Sequence, residues 1–541
     1  METLIRAGES RKFYQEIRTV KKGYQPTVQI LQDNSENLIT DTVQIKTMWR
    51  DYFYDLLNNP RPEALIRQEV EDNMEEVASP TFDEVKKAIM RLKNNKTPGI
   101  DDLPSELWKY SGRVVQLKLY ELLKTIWKVE RQPLEWNTGI ISPIHKKGCK
   151  KKCNNYHFRK AYDSIDRAAL YTILRNFHIP KKLIDMIIVA TSKCTMRVRV
   201  GRELSDDFAV ITGLKQGDAL SPTLFNLVLE YVLRRVMTLE VGVQLNGRHK
   251  VIGYADDLAL LGENREEIIK AAKVLEQEAK KVGLKINTDK TEYLHMKRYK
   301  NTRIACTNLH VGDTLYKGAS KFKYLGCTIT DTNSREEEIH IRVQNALRCS
   351  AALHKVLVSR LLSRKTKIRV YKTVIRPILM YGCEAWTLTL KEENQLLVTE
   401  RKVLRKILGP TIKEDGSWRV RTNSEIEDLM AEPNIIGEIK SHRLRWLGHV
   451  ERMEEDRGVK KAYLGRPVGR RPVGRPKYRW KDRVEADLTA LQAHNWQDTA
   501  QDRGKWRALV SEAKTHFGSL SFVQGDHCNP IFFNTPFHIV I

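Results

Sequence analysis

The stretch VIGYADDLALLG, residues Val251–Gly262, has two short apolar runs on either side of an Asp pair. Runs of this length around a polar pair are typical of a β-hairpin. Asp256 and Asp257 would then lie at the hairpin tip. Neighbouring strand residues point to opposite faces, but the twist at a tip can bring two carboxylates near one site. The stretch therefore predicts a hairpin with two carboxylates at its tip.

Paired carboxylates at a hairpin tip suit a chemistry that holds divalent cations. Nucleotidyl transfer uses two Mg²⁺ ions roughly 3.5–4 Å apart, and hard oxygen ligands suit both ions. The alternative is a solvated turn, because Asp is common in turns. The hairpin alone leaves both interpretations open.

Helix and strand patterns alternate around the hairpin. SPTLFNLVLEYVLRRVM, before it, predicts a helix with Ser221 at the N-cap, and the stretches GLKINTDKTEYLHM and KFKYLGCTI, after it, favour strands. Far upstream, Thr81 and Glu84 have the spacing of a capping box. Beyond residue 335 the pattern becomes helical. The sequence predicts mixed α and β structure followed by a basic helical half.

The composition favours an intracellular protein with a polyanionic partner. Lys and Arg number 93 against 67 Asp and Glu, and the long-range field of the net charge of +26 suits nucleic acid. The amino terminus has no apolar signal-like run, and no stretch approaches about 18 continuous apolar residues. The 8 scattered cysteines suit a reducing compartment. We expect a cytoplasmic or nuclear protein that binds nucleic acid and no membrane.

Two segments near the carboxyl end differ from the rest. Residues 457–483 are strongly basic and repeat a Gly-Arg-Pro unit, which predicts a flexible basic linker. Residues 515–541 contain no Lys or Arg, and this shift suggests a tail of different origin. Contacts to nucleic-acid phosphates are expected from Arg470, Arg471, Arg475, Lys477 and Arg479.

Further motifs stand in a fixed order around the Asp pair. AYDSID begins at Ala161 and predicts a strand over Ala161–Asp163 that turns into a helix at Ser164. GLKQGDALSPTLFNLVLE begins at Gly213 and FKYLGCTI at Phe322. LKNNKTPGIDDLPSELWKY and EWNTGIISPIHKKG precede them, and YKTVIRPILMYGCEAWTL, RLRWLGHVERM and GRPKYRWKDRVEADL follow. In this order and spacing, most of residues 10–515 resembles the reverse transcriptases of non-LTR (LINE-type) retrotransposons.

The resemblance implies an α+β right-hand polymerase with an antiparallel palm sheet. Its regions would be an N-terminal helical segment (1–75), truncated fingers (76–160), the palm (161–335), a helical thumb-like domain (336–455), a basic C-terminal region (456–514) and an unrelated tail (515–541). The implied reaction is RNA-templated DNA synthesis on a DNA primer, from deoxynucleoside triphosphates and with two Mg²⁺ ions.

The resemblance also implies roles for residues at matching positions. Asp256 and Asp257 match the metal-binding pair, and Lys290 matches a possible proton donor to pyrophosphate. Residues that match positions near the nucleotide, the template and the primer end are Tyr162, Gln216, Gly217, Tyr254 and Ala255. Residues that match the primer grip are Tyr324, Leu325 and Gly326. Without the resemblance, Tyr162 could equally be a tyrosine of the core, and Lys290 could equally be a charged surface residue.

One matching position departs from the family. Members carry an aspartate four residues before the Ala of AYD, where this chain has His157. Members also have several dozen residues between NNY and that position, whereas here Tyr156 is followed directly by His157. We interpret this as an internal deletion within the fingers, and we expect the endonuclease domain that usually precedes the family to be absent. Imidazole is a softer ligand than carboxylate, so weak or absent polymerisation is predicted.

Three alternatives stay open. His145, Cys149, Cys153 and His157 recur every fourth residue and on a helix would form a zinc-type stripe, although Gly148 and the nearby asparagines are poor helix formers. The second alternative is a basic nucleic-acid-binding protein without catalysis. The third is an incomplete gene model or a decayed element.

Overall fold

The computed structural model describes most of the chain in two compact units. The first unit contains Met1–Gln25, Glu240–Lys270 and Thr288–Ile541, and the second contains Pro26–Leu239 and Ala271–Asn287. The described residues are 1–22, 30–33, 35–58, 70–145, 148–156, 161–201, 203–215, 217–244, 247–296, 307–465, 479–518 and 537–540.

Helices and short strands make up both units. The α-helices are α1 Glu2–Arg6, α2 Ser10–Lys22, α3 Thr42–Leu57, α4 Phe82–Arg91, α5 Ser105–Tyr110, α6 Arg113–Val129, α7 Ala161–Ser164, α8 Arg167–Asn176, α9 Lys181–Thr191, α10 Ser221–Met237, α11 Arg265–Lys281, α12 Glu336–Ala352, α13 His354–Val358, α14 Arg364–Val370, α15 Arg376–Met380, α16 Leu390–Leu408, α17 Asn423–Met430, α18 Ile435–Glu451, α19 Gly458–Leu464, α20 Trp480–Ala490, α21 Trp496–Gln501 and α22 Arg503–Phe517. Among the described residues, no helix is long and apolar enough to cross a membrane.

The strands are mostly two to six residues long. They are β1 Leu31–Gln32, β2 Leu38–Ile39, β3 Thr138–Ile141, β4 Thr195–Val200, β5 Glu203–Leu204, β6 Phe208–Ala209, β7 Val243–Gln244, β8 Arg248–His249, β9 Val251–Tyr254, β10 Asp257–Gly262, β11 Glu292–Met296, β12 Leu309–Val311, β13 Thr314–Ala319, β14 Lys321–Tyr324, β15 Cys327–Thr330, β16 Thr411–Ile412, β17 Trp418–Arg419 and β18 Phe537–Val540.

Some helix starts follow the capping chemistry of the sequence. The capping box predicted at Thr81 is confirmed, since its side chain and that of Glu84 each accept the other's backbone N–H. The N-cap predicted at Ser221 is wrong by one residue, because Ser221 is already helical and Leu220 is the N-cap. The Ser221 hydroxyl instead donates to the Lys215 carbonyl at 2.6 Å, which ties the helix start to the preceding loop.

A six-stranded sheet in the first unit has the order β12–β13–β11–β18–β10–β9. Neighbouring strands are antiparallel except β11 and β13, which run parallel. The predicted antiparallel palm sheet is therefore wrong for this pair. Residues 297–313 separate β11 from β13, and a connection of this length lets the chain return before it pairs in parallel.

The helical half predicted after residue 335 is confirmed by α12–α22. One apolar core joins α12, α14, α16 and the start of α18, and Phe13 and Ile17 of α2 also pack into it. A second core, around Leu444, Val484 and Trp506, joins α18, α20 and α22. Residues of the predicted basic C-terminal region thus contribute to a packed core.

The second unit has its own apolar core. Trp49 and Phe53 of α3 pack there with Val198 of β4, and Tyr156 packs against it. β3 and β4 pair in parallel, and β5 and β6 both pair with β4. In the same unit, α8, which directly follows AYDSID, packs against α10, which begins with SPTLF.

Candidate active site

The hairpin predicted from the Asp pair is confirmed. β9 and β10 pair antiparallel, with Tyr254 opposite Asp257 and only Ala255 and Asp256 in the loop. Ala255 has a positive φ of +54°, and a positive φ at the first loop residue alone is the type II′ pattern. This position usually holds glycine, so Ala255 stores strain at the tip. Both carboxylates are exposed, and Tyr254 is 68% exposed.

The residues matched to the primer grip lie near this tip. Tyr324, at the end of β14, packs against the sheet core that includes Ala259 and Leu261 of β10. Burial, and then the negative charge of Asp257, raises the pKa of Tyr324. The Tyr324 hydroxyl is buried without a hydrogen-bond partner among the described residues. The structure therefore places Tyr324 within electrostatic reach of Asp257, and its implied role in the primer grip stays a prediction.

The turn between β14 and β15 is held by residues that sequence reasoning missed. Leu325 and Gly326 have φ values of +46° and +81°, the type I′ pattern. The Tyr381 hydroxyl donates to the Leu325 carbonyl at 2.7 Å, and the Arg342 guanidinium donates to the Gly326 carbonyl. Arg342 also lies 4.7 Å from the Tyr381 ring centroid. The available signal was YKTVIRPILMYGCEAWTL, which contains Tyr381.

Lys290 belongs to the same unit. It is exposed and lies in a turn just before β11. Its implied role as a proton donor stays a prediction.

The AYD segment of the second unit is helical. The sequence predicts a strand that leaves Ala161, but Ala161–Ser164 form α7 and Cys153–Asn155 form a 3₁₀ turn. Backbone bonds hold this bend, because the Leu214 N–H donates to the Tyr162 carbonyl at 2.9 Å. The Tyr162 ring stacks on Phe225, with centroids 4.4 Å apart. This stacking fits the core-tyrosine alternative for Tyr162.

Two glycines allow other loops to approach this bend. A Cβ at Gly213 would lie 2.7 Å from the Asp163 backbone, and one at Gly283 would lie 2.6 Å from the Ser164 carbonyl oxygen. Both glycines also have positive φ values, so no other residue fits easily. Buried Arg167, which sequence reasoning missed, donates to the Gly213 carbonyl at 2.9 Å. Its position directly after AYDSID was the only signal.

Part of the chain is similar to proteins of known family. Residues 110–329 match the family model of the reverse transcriptase (RNA-dependent DNA polymerase), a range that includes both hairpins and the AYD segment. The relatives that match include proteins of the non-LTR retrotransposons R2 and jockey. Residues 110–329 thus carry a reverse transcriptase domain that is similar to those of non-LTR retrotransposon proteins.

Individual relatives match different lengths of the chain. A transposon-derived protein of Caenorhabditis elegans is 26% identical over 288 residues, which are 51% of this chain and the whole of that protein. The Pol polyprotein of the R2DM element of Drosophila melanogaster is 32% identical over 33% of this chain and 17% of its own length. The RNA-directed DNA polymerase of the jockey element of the same fly is 24% identical over 50% of this chain and 29% of its own length. The chain thus spans only a part of these two retrotransposon proteins.

Some of the other predicted site residues lie outside the described part of the chain. Those outside are His157, Gln216, Arg470, Arg471, Arg475 and Lys477. Gly217 is exposed with a φ of +98° and no atom within 4 Å of a Cβ built on it, so its backbone conformation itself favours glycine. The Arg479 backbone N–H donates to the Asp482 carboxylate at 2.9 Å at the start of α20.

The zinc alternative finds no support in the described part of the chain. Residues 148–156 form turns instead of the continuous helix that a stripe of ligands needs. A His145 ring nitrogen lies 3.0 Å from the Gly148 carbonyl oxygen. Burial raises the pKa of the Cys153 thiol to about 11, which disfavours the thiolate that binds metal. Within the described ranges, no group of three or more His, Cys, Asp or Glu side chains is placed to hold a metal ion.

Proposed function

We propose that the chain is a retrotransposon-derived reverse transcriptase domain protein whose DNA synthesis is impaired. The family reaction is RNA-templated DNA synthesis on a DNA primer from deoxynucleoside triphosphates. The observation that carries the proposal is the Asp256-Asp257 pair at an exposed hairpin tip with Tyr324 nearby, combined with His157 at the position of the family's first aspartate.

The donor set of the tip fits Mg²⁺ only in part. Asp256 and Asp257 supply the oxygen ligands that Mg²⁺ prefers, and their exposure leaves room for water ligands. Two consecutive residues provide fewer carboxylates than two clustered cations need, and the described residues add no third ligand. A neutral imidazole at His157 would supply a softer donor without negative charge. We therefore expect weak metal binding.

The remaining site residues would serve substrate and nucleic acid. In this proposal, Tyr324 and the Leu325-Gly326 turn contact the primer end, and Arg342 and Tyr381 fix that turn. Gln216 and Gly217 border the template and the nucleotide, Tyr162 lies near the ribose, and Lys290 donates a proton to pyrophosphate. We further propose that the residues are arranged as truncated fingers, palm and thumb.

Primer extension by the purified full-length chain tests this proposal. The expected product on an RNA template with a DNA primer is no greater than that of Asp256→Ala. His157→Asp restores the missing carboxylate and is the matched gain-of-function variant. Robust Mg²⁺-dependent extension that Asp256→Ala abolishes would overturn the impairment.

Nucleic-acid binding without catalysis is the second candidate, and an exposed hairpin in the helical half favours it. Ile412 and Trp418 are cross-strand partners that are 57% and 67% exposed. On the other face, Arg419 forms a 2.6 Å ion pair with Glu425. An exposed tryptophan in a strongly basic chain suits stacking on the bases of a single strand.

Fluorescence anisotropy with a labelled single-stranded RNA measures whether the hairpin that carries Trp418 binds nucleic acid. Trp418→Ala is expected to weaken binding, because a stacked base contributes about 1–3 kcal/mol. Trp136→Ala, which removes an exposed tryptophan of the other unit, is the matched control. Affinity should also fall steeply between about 50 and 200 mM salt. Salt-independent binding, or equal loss in both variants, would contradict this assignment.

A further inference from the structure

The strand at the centre of the Asp-bearing sheet comes from the far end of the sequence. β18 lies between β10 and β11 and pairs antiparallel with both. On one side Val540 and Ile539 lie opposite Leu260 and Leu261 of β10. The other strands of this sheet all come from residues 251–319. The sheet is therefore completed by a strand from the segment that the sequence analysis predicts to be an unrelated tail.

The position between β10 and β11 demands an apolar strand. Ile539 and Val540 are only 6% and 5% exposed, although they point to opposite faces of the sheet. Ile539 joins the core that contains Leu261 and Leu294. A strand that is buried on both faces is typically rich in apolar residues, and FHIVI has four of them around His538. The absence of Lys and Arg from residues 515–541 fits this placement.

Removal of β18 would leave two unpaired edges inside the sheet. β10 and β11 both run antiparallel to β18, so they are parallel to each other and about two strand spacings, roughly 9–10 Å, apart. They cannot pair directly without moving together by a full strand spacing. Their inner N–H and C=O groups would be left without strand partners, which is costly.

We infer that β10 and β11 form an acceptor slot for an extended apolar strand, and that residues 537–540 fill it within the same chain. The slot begins three residues after Asp257, because β18 pairs with Leu260–Gly262 of the strand that starts there. The tail strand therefore positions the strand that carries Asp257. This role does not depend on catalytic activity.

Hydrogen exchange of the full-length chain tests the slot. In Ile539→Asp, amides of Leu260–Gly262 and Tyr293–Met296 should exchange about ten-fold faster or more than in the parent chain, because both strands lose their partner. His310→Asp, at an exposed position on the outer strand β12, is the matched control and should leave these amides unchanged. Amides of α16 report whether the variant folds, and Ile539→Val should behave like the parent.

A peptide supplied in trans gives the second measurement. A synthetic peptide of residues 535–541, extended with lysines for solubility, should restore protection to β10 and β11 of the Ile539→Asp chain. The same peptide with Asp at position 539 should not. Unchanged exchange in Ile539→Asp with α16 intact, or no rescue by the apolar peptide, would overturn the slot. If the β10 and β11 amides of the parent chain are protected from exchange only when the chain dimerises, residues 537–540 do not fill the slot of their own chain.

Discussion

The Asp-bearing sheet and the helical half of the same unit are stabilised in different ways. In the sheet, β10 depends on β9, its neighbour in sequence, and on β18, a strand from the distant tail. In the helical half, side chains close the contacts: Arg443 donates to Asp487 at 3.1 Å, and Tyr371 donates to Glu400 at 2.6 Å. The comparison teaches that the strand carrying Asp257 depends in part on backbone pairing with the far end of the sequence.

Arg443→Met should have the largest effect, and it should fall on the helical half. Among the described residues, the change leaves Lys440, 3.4 Å away, as the remaining ion-pair partner of the buried Asp487 carboxylate. Loss of one partner from a buried pair costs about 3–5 kcal/mol. Chemical denaturation that follows α18 and α20 measures the loss. Arg445→Met, which removes an exposed arginine of the same helix, is the control. Equal unfolding free energies of the two variants would show that the Arg443–Asp487 pair does not stabilise the helical half.

Gly448→Ala should have a smaller effect on the same half. A Cβ at Gly448 would lie 2.1 Å from Nε1 of Trp506, whose N–H donates to the Leu444 carbonyl at 3.0 Å. Overpacking of this kind costs about 1–3 kcal/mol. Gly458→Ala is the control, because nothing lies within 4 Å of its Cβ position. Thermal unfolding compares the two, and a lower melting temperature for the control would contradict the packing account.

The pH dependence of the helical half should show the buried carboxyl of Glu400. Burial raises its pKa above the ordinary 4.5 despite bonds from Tyr371 and the Ile435 N–H. The folded state then binds more protons than the unfolded state between the two pKa values, so stability falls as pH rises from about 4.5 through the raised value. Glu400→Gln should flatten this fall in unfolding free energy. Exposed Glu454→Gln should not, and an unchanged slope in Glu400→Gln would contradict the assignment.

Ala255→Gly should produce the smallest effect, and it should act on the sheet. Glycine removes the strain of the positive φ but adds unfolded-state entropy, so we expect a net gain of about 1 kcal/mol or less. Ala259→Gly, at a buried position of β10, should destabilise instead. Hydrogen exchange at the hairpin measures both. Destabilisation by Ala255→Gly would show that the tip is not strained.

Local patterns explain what could be predicted from the sequence. The Asp hairpin, the Thr81 capping box and the helices after residue 335 follow from neighbours in sequence, and the structure confirms each of them. Long-range contacts explain what could not. The parallel pairing of β11 with β13, the insertion of β18 and the grip of Arg342 and Tyr381 on the β14–β15 turn join distant segments, and no local pattern encodes them.

Metal binding by the Asp pair tests the central claim most directly. Electron paramagnetic resonance counts the Mn²⁺ ions that bind to the full-length chain, with Asp256→Ala as the reference and His157→Asp as the repaired variant. We predict weak binding to the parent chain, lost in Asp256→Ala and strengthened in His157→Asp. Tight binding of two ions to the parent chain would contradict an incomplete metal site.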